Sequence, residues 1–252
     1  HEGHISLARA ARRDCASVVA SIYVNPSQFG PTEDLAKYPR NLERDLSLLS
    51  AVPVDLVWTP DNQIMYPPDF QTWVQVEQVA APLEGNMRPG HFRGVATVVA
   101  KLFNCVLPDK AYFGQKDAQQ VRVIQQMIRD LNFPVEMIVC PTARESDGLA
   151  MSSRNVYLTP EERQAAPVIH RALRSAEARY LAGERDAGLL RQQIEAEISA
   201  EPLAKVQYVS IADALSLQEL EKVESDALIS LAVYFGKTRL IDNLILRTPS
   251  KY

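Results

Sequence analysis

The sequence predicts an α/β protein, a Rossmann-like doubly wound parallel-sheet domain followed by a smaller C-terminal α/β domain. Three observations carry this. Short apolar runs alternate with amphipathic helical stretches over roughly the first 140 residues. Polar helices then take over, and three strand-like runs separated by turn signals close the chain. The length of 252 residues suits a larger and a smaller domain, expected at 1–157 and 158–252.

The opening segment reads as a helix with Ile5, Ala8 and Ala11 on one side, and 18–24 as a buried strand. A helix from Pro39 carries Leu42, Leu46 and Leu49 on one face, and 54–58 is the next strand. A mostly apolar helix over 94–106 leads to a short strand at 110–113. The helix over 117–131 turns Val121, Ile124, Ile128 and Leu131 inward, and 135–140 ends the series. Right-handed crossovers would line the strand C-termini, and with them the ligand site, along one edge. Thr159-Pro160-Glu161-Glu162 is a helix start, with a capping hydroxyl, proline at the first helical position and acids in the first turn. The closing strands fall at 206–211, 227–235 and 239–246. A doubly wound domain begins on a strand, whereas this sequence opens on a helix at His1, so one strand is expected to be missing. A processed or truncated form is one reading of that start.

Composition excludes several classes. A net charge of −4 and a pI near 5.7, without clustered Lys and Arg, leave no footprint for nucleic acid. Arg12-Arg13 reads as a solvated helix end, and no apolar run is long enough to cross a bilayer. Cys15, Cys105 and Cys140 are odd in number, far apart and among apolar neighbours. They read as buried thiols in a reducing compartment, the cytoplasm, and not as a disulfide framework or zinc site.

Two of the four histidines fall in His1-Glu2-Gly3-His4. Their spacing puts both imidazoles on one face of a helix's first turn, and the helix N-terminus favours anions. Gly3 lets a ligand approach the backbone, so the segment suits a phosphate; terminal surface histidines fit the same pattern. Met151-Ser152-Ser153-Arg154-Asn155 follows the Asp147-Gly148 turn. Its two hydroxyls and planar guanidinium suit a triphosphate, although a serine-rich surface loop looks the same.

An H-x-G-H opening a helix, with a later Ser-rich loop, resembles the nucleotidyl-transferase group that includes class I aminoacyl-tRNA synthetases. The likeness narrows further. Val24-Asn25-Pro26-Ser27-Gln28-Phe29, Tyr38-Pro39-Arg40 and Arg88-Pro89-Gly90-His91-Phe92-Arg93-Gly94 resemble the pantothenate synthetase family. So do Tyr112 through Gln120, Asp147 through Asn155, and Thr238-Arg239-Leu240-Ile241-Asp242-Asn243. These segments keep the family's order and near-family spacing across essentially the whole chain.

The resemblance implies an ATP-dependent ligase that joins pantoate to β-alanine through a pantoyl-adenylate, releasing AMP and pyrophosphate. It places ATP on His1, Glu2, Gly3, His4, Gly114, Gln115, Lys116, Asp117, Ala143, Met151, Ser152, Ser153 and Arg154. His4 is the best candidate proton donor, since imidazole titrates near working pH. His1, Lys116 and Arg154 complete the catalytic set. Lys116 supplies a point charge for the developing phosphate charge; Asp117 caps the next helix or faces ribose or Mg²⁺. The backbone amide of Ala143 would meet adenine, and Ser152, Ser153 and Arg154 would close over the phosphates as a lid.

Gln28 and Gln120 are neutral amides that suit a carboxylate bearing hydroxyls, and by resemblance both hold pantoate, Gln28 also meeting β-alanine. Arg88 and His91 either border the pocket or serve packing or a dimer interface, and His170 reads as structural. Mg²⁺ is implied through the phosphates, with no protein metal cage, and a homodimer follows from the family alone. Two departures stand out: the family's Pro-Thr-Met-Gly segment, part of the nucleotide site, is absent before His1, and Gln115 replaces a frequent Glu. The alternative is another H-x-G-H enzyme, a cytidylyl- or adenylyltransferase, which has no need of 24–29 or of the Gln-Gln pair.

Overall fold

Alternating strands and helices do build the first part of the chain, in a computed structural model that describes residues 1–31 and 33–248. The chain divides into two compact units. One comprises His1–Gln115 and Gln119–Pro141; the other takes Lys116–Ala118 and runs from Thr142 to the end of the described residues.

The first unit opens on α1 (Glu2–Asp14), with Ile5, Ala10 and Ala11 buried and Ala8 only partly so. Next come β1 (Val19–Ser21), a 3₁₀ turn at Pro26–Gln28, α2 (Leu42–Ser50) and β2 (Leu56–Trp58). β1 and β2 pair in parallel around the α2 crossover. Short helices α3 (Asn62–Met65) and α4 (Glu84–Met87) lead to α5 (His91–Val106). That helix is buried almost all round, from His91 and Phe92 through Ala100. β3 (Lys110–Gly114), a 3₁₀ turn (Gln115–Asp117), α6 (Ala118–Asp130) and β4 (Glu136–Cys140) follow, with β3 and β4 again parallel.

Several expectations change here. The parallel strands form two separate two-stranded ladders, because no described strand lies between them to join them. Leu42 and Leu46 of α2 are exposed, and Leu131 falls beyond α6, where Val123 and Met127 are buried instead. Arg12 is not a solvated helix end. Its guanidinium reaches Asp55 Oδ2 at 2.9 Å and the Pro53 carbonyl at 3.0 Å, tying α1 to the entry of β2. Of the cysteines only Cys140 is buried; Cys15 is half-buried and Cys105 is exposed.

The second unit carries a 3₁₀ turn (Ser153–Tyr157), α7 (Pro160–Ala165), α8 (Val168–Leu181), α9 (Ala187–Ser199), β5 (Ala204–Asp213), β6 (Ala227–Phe235) and β7 (Thr238–Leu246). Thr159 and Glu162 form a complete capping box with Pro160 in the first turn, as the sequence predicts. The three strands make an antiparallel sheet in the order β5-β6-β7. Its centre, β6, is buried on both faces except at Tyr234. Leu190, Ile194 and Ile198 of α9 and Ile169 and Leu173 of α8 join Ile211, Ile229 and Leu231 in one core.

Candidate active site

At the amino end of α1, His1 is the N-cap and its carbonyl accepts from the His4 and Ile5 amides. The two imidazoles stack, with ring centroids 3.8 Å apart and 21° between planes. The spacing therefore does what the sequence predicts. His1 Nδ1 is buried and makes no hydrogen bond, so one imidazole nitrogen is unused beside a helix N-terminus that favours anions. Glu2 turns away to pair with Arg9, and the Gly3 carbonyl accepts from Ser6 Oγ at 2.9 Å.

Gln28 sits in a dense polar cluster. Asn25, almost fully buried, caps the 3₁₀ turn by accepting from Ser27 N, and its Nδ2 donates to Gln28 Oε1 and to the Gly94 carbonyl, both at 3.1 Å. A Cβ on Gly94 would lie 2.4 Å from the Ser27 carbonyl oxygen, so only glycine lets α5 approach the turn this closely. His91 and Arg88 both reach the Gln28 carbonyl, and Arg88 pairs with Glu33 at 2.6 Å. These two residues are thus part of the Gln28 cluster. Burial raises the Glu33 carboxyl, but the hydrogen bond and charge of Arg88 outweigh it and hold the group below its ordinary range.

Gln120, half-buried, stands in the first turn of α6. Its neighbour Gln119 has a different job. Gln119 Nε2 donates to the Val79 and Pro82 carbonyls, and its Oε1 accepts from Glu84 N at 2.9 Å. The Gln-Gln pair therefore splits into one amide that pins the 79–84 loop and one left for other work. Gly114 closes β3 opposite Cys140, and a Cβ there would meet nothing within 4 Å, which leaves open space over the backbone before Gln115.

In the second unit Lys116 is largely covered, with Nζ 3.7 Å from Asp117 Oδ1, and its carbonyl accepts from Asn243 Nδ2 at 2.8 Å. Asn243 is positioned by β7, whose neighbouring Asp242 is buried and takes both Nη atoms of Arg144 at 2.6 and 3.0 Å. Arg144 bridges to Ala150 across a tight turn, and Met151 N donates to the Ala143 carbonyl at 2.9 Å. Asp147 accepts from Arg163, while Ser152 Oγ caps the turn that presents Ser153 and Arg154. The Asp147-Gly148 turn is thus a braced hairpin at its base.

Asn25, Glu33, Gln119, Arg144, Asp242 and Asn243 have no role that the sequence alone assigns. All but Glu33 and Arg144 lie inside the family-like segments. Polar side chains within such segments are the signal that could have found Asn25, Gln119, Asp242 and Asn243, while Glu33 and Arg144 carry none.

The family described as Pantoate-beta-alanine ligase matches residues 1–245. The chain is 61% identical over 246 residues to the pantothenate synthetase of Roseiflexus sp. (strain RS-1), covering 98% of this chain and 88% of that protein. The Chloroflexus aurantiacus (strain ATCC 29366 / DSM 635 / J-10-fl) enzyme is 58% identical over 252 residues, 100% of this chain and 90% of its own. The crystal structure of pantothenate synthetase from Thermus thermophilus superposes with a TM-score of 0.95 at 48% identity, covering 98% and 90% of the two chains. That from Francisella tularensis, complexed with beta-gamma ATP and beta-alanine, gives 0.79 at 36% identity, covering 98% and 86%. With the family model and these relatives matching along nearly the whole length, the chain belongs to the pantoate–β-alanine ligase family.

Proposed function

We propose that the chain condenses pantoate with β-alanine at the expense of ATP, through a pantoyl-adenylate. A carboxylate is a poor electrophile, so it must first be activated. The pantoate carboxylate attacks the α-phosphorus in line, pyrophosphate leaves, and the β-alanine amine then attacks the acyl carbon and expels AMP. Because negative charge builds on the phosphates, catalysis is mainly positioning and electrostatics. The observation that carries this reading is the stacked His1–His4 pair, with an unused ring nitrogen at the amino end of α1. The Francisella tularensis relative, whose structure is complexed with beta-gamma ATP and beta-alanine, supports the substrate class.

In this reading His4 donates a proton to the phosphates with His1 beside it, and Glu2 and Gly3 belong to the same nucleotide segment. Lys116 stabilises charge at the α-phosphate and leaving group. Gly114, Gln115 and Asp117 line the nucleotide, Ala143 meets adenine through its amide, and Met151, Ser152, Ser153 and Arg154 cover the phosphates and exclude water. Gln28 and Gln120 hold pantoate. Asp117, whose half-exposed carboxylate lies 3.7 Å from Lys116 Nζ, is the candidate side chain to face a Mg²⁺ carried on the phosphates, or the ribose. Bound there, the ion would neutralise phosphate charge. Cytoplasmic location and a homodimer complete the proposal. Among the described residues no helix is long and apolar enough to cross a membrane.

Pantoate-dependent exchange of labelled pyrophosphate into ATP tests the reading. Exchange is expected with pantoate, and His4→Ala or Lys116→Ala should slow adenylation on the order of 10²–10⁴-fold without unfolding the protein. Exchange driven by a nucleotide substrate and not by pantoate would favour a nucleotidyltransferase instead.

A further inference from the structure

Gln28 is held at two points by groups whose own orientation is determined. Its backbone carbonyl can only accept, so the His91 nitrogen 2.7 Å away, Nδ1, carries the proton. In the neutral ring Nε2 is then an acceptor, and it faces Arg88 Nη1, which can only donate, at 3.1 Å. Arg88 is itself fixed by a two-point contact with Glu33 (Nε to Oε1 at 2.9 Å, Nη2 to Oε2 at 2.6 Å) and adds a second donor to the Gln28 carbonyl at 3.3 Å.

The side chain is fixed in the same way. Asn25 Oδ1 receives Ser27 N at 3.2 Å, Ser27 Oγ at 2.8 Å and Tyr66 OH at 2.9 Å. Its Nδ2 donates to the Gly94 carbonyl, and no flip of the amide preserves these contacts. The end of Gln28 that meets Asn25 Nδ2 must therefore be the oxygen Oε1, which turns the Gln28 NH₂ elsewhere.

We propose that Gln28 is a one-way donor: the substrate group it meets is an acceptor oxygen of the hydroxy acid, with Asn25 as the positioning residue that enforces this polarity and His91 and Arg88 as positioning residues that hold the Gln28 backbone where the amide can reach. The inference rests on the reading that Gln28 binds pantoate. It makes His91 a neutral scaffold group with no part in proton transfer, and it assigns the hydrogen-bond direction at the substrate.

Calorimetric titration of the full chain with pantoate, and separately with ATP, tests it. Gln28→Glu keeps the shape and the contact to Asn25 but loses the donor, so it should weaken pantoate at least as much as Gln28→Ala, on the order of tenfold or more. His91→Ala should also weaken pantoate, by about tenfold, whereas His91→Asn, whose amide can donate from near the ring Nδ1 position, should recover to within about threefold of wild type. ATP affinity should not follow either series. Wild-type pantoate binding by Gln28→Glu, or no difference between His91→Asn and His91→Ala, overturns the proposal. Unchanged binding by Gln28→Ala would instead remove Gln28 from the pantoate site, a separate failure. Should His91→Ala not fold, the ring ¹⁵N shifts of His91 in the unmutated protein decide: a protonated Nδ1 with a bare Nε2 is expected, and the opposite tautomer refutes it.

Discussion

His91 carries a second consequence at the scale of the single residue. Burial, and then the neighbouring Arg88 guanidinium, push its imidazole down to about 4, against the opposing pull of the Gln28 carbonyl, Glu33 and Glu84. In the unfolded chain the ring titrates near 6.5. Between those values the unfolded state takes up a proton that the folded state refuses, so this contribution is intact above about 6.5 and is lost as pH falls toward 4. Urea melts at pH 7 and pH 5 should show a loss of roughly 2 kcal/mol from this group, absent in His91→Asn. His170 is also pushed down, by burial and then by Arg144, and adds to the same slope. The difference between the two proteins is therefore the readout, and equal pH slopes would show that folding does not shift the His91 imidazole. At this scale the sequence reveals chemistry where partners are close along the chain. His1 and His4 are three residues apart and do stack, whereas the partner of His91 lies 63 residues upstream, so it could be read only as a neighbour of the pocket. Gln119 was indistinguishable from Gln120 by type; only burial separates the loop anchor from the candidate ligand.

Elements meet where side chains are missing, and two glycines test how the site is braced. A Cβ on Gly94 would lie 2.4 Å from the Ser27 oxygen and 2.8 Å from Gln28 N, and both obstacles are backbone. Gly94→Ala should push the Pro26–Gln28 turn off α5, costing on the order of 1–3 kcal/mol and weakening pantoate binding together. Gly148 has φ +92°, and a Cβ there would sit 2.2 Å from His170 Nδ1. Gly148→Ala should destabilise the fold by about 1–3 kcal/mol. Adding His170→Ala should return part of that loss, since it removes the clash and leaves the backbone strain; denaturation midpoints of the three variants measure both terms. The elements themselves were largely legible. A nearly unbroken apolar run places β6 at its observed limits, and the Thr159 capping box announces α7. What a pattern cannot state is the cover. Leu42 and Leu46 mark one face of α2, yet they are 47% and 41% exposed, because apolar spacing gives the direction of a face and not whether another element lies on it.

Across the whole molecule the core is unevenly shared between the two units. The large described cluster, from Leu149 to Leu246, belongs entirely to the second, where β6 is flanked by strands on both sides and covered by apolar side chains. In the first unit α5 is well buried, but β1 and β2 are three residues each, with Val19 and Leu56 exposed, and α2 buries no residue. Sequence reasoning anticipated parallel pairing and a missing strand in this unit but not which strands would pair, β1 with β2 and β3 with β4, since strand order depends on long-range neighbours that local patterning does not encode. The physical consequence is a graded stability. Backbone hydrogen bonds of β6 open only when the core that covers them is lost, whereas those of β1, β2 and α2 can open with little apolar burial forfeited. Hydrogen exchange should therefore find β6 and the inner face of α9 protected to the level of global unfolding, with β1, β2 and α2 exchanging through local openings orders of magnitude faster. A ligand that engages Gln28 should slow exchange in the Pro26–Gln28 turn and α5, and should slow β6 as well, because amides that open only on global unfolding gain the full binding free energy. Uniform protection across both units would show instead that the chain opens only as one cooperative body, and that burial counted strand by strand does not set its local stability.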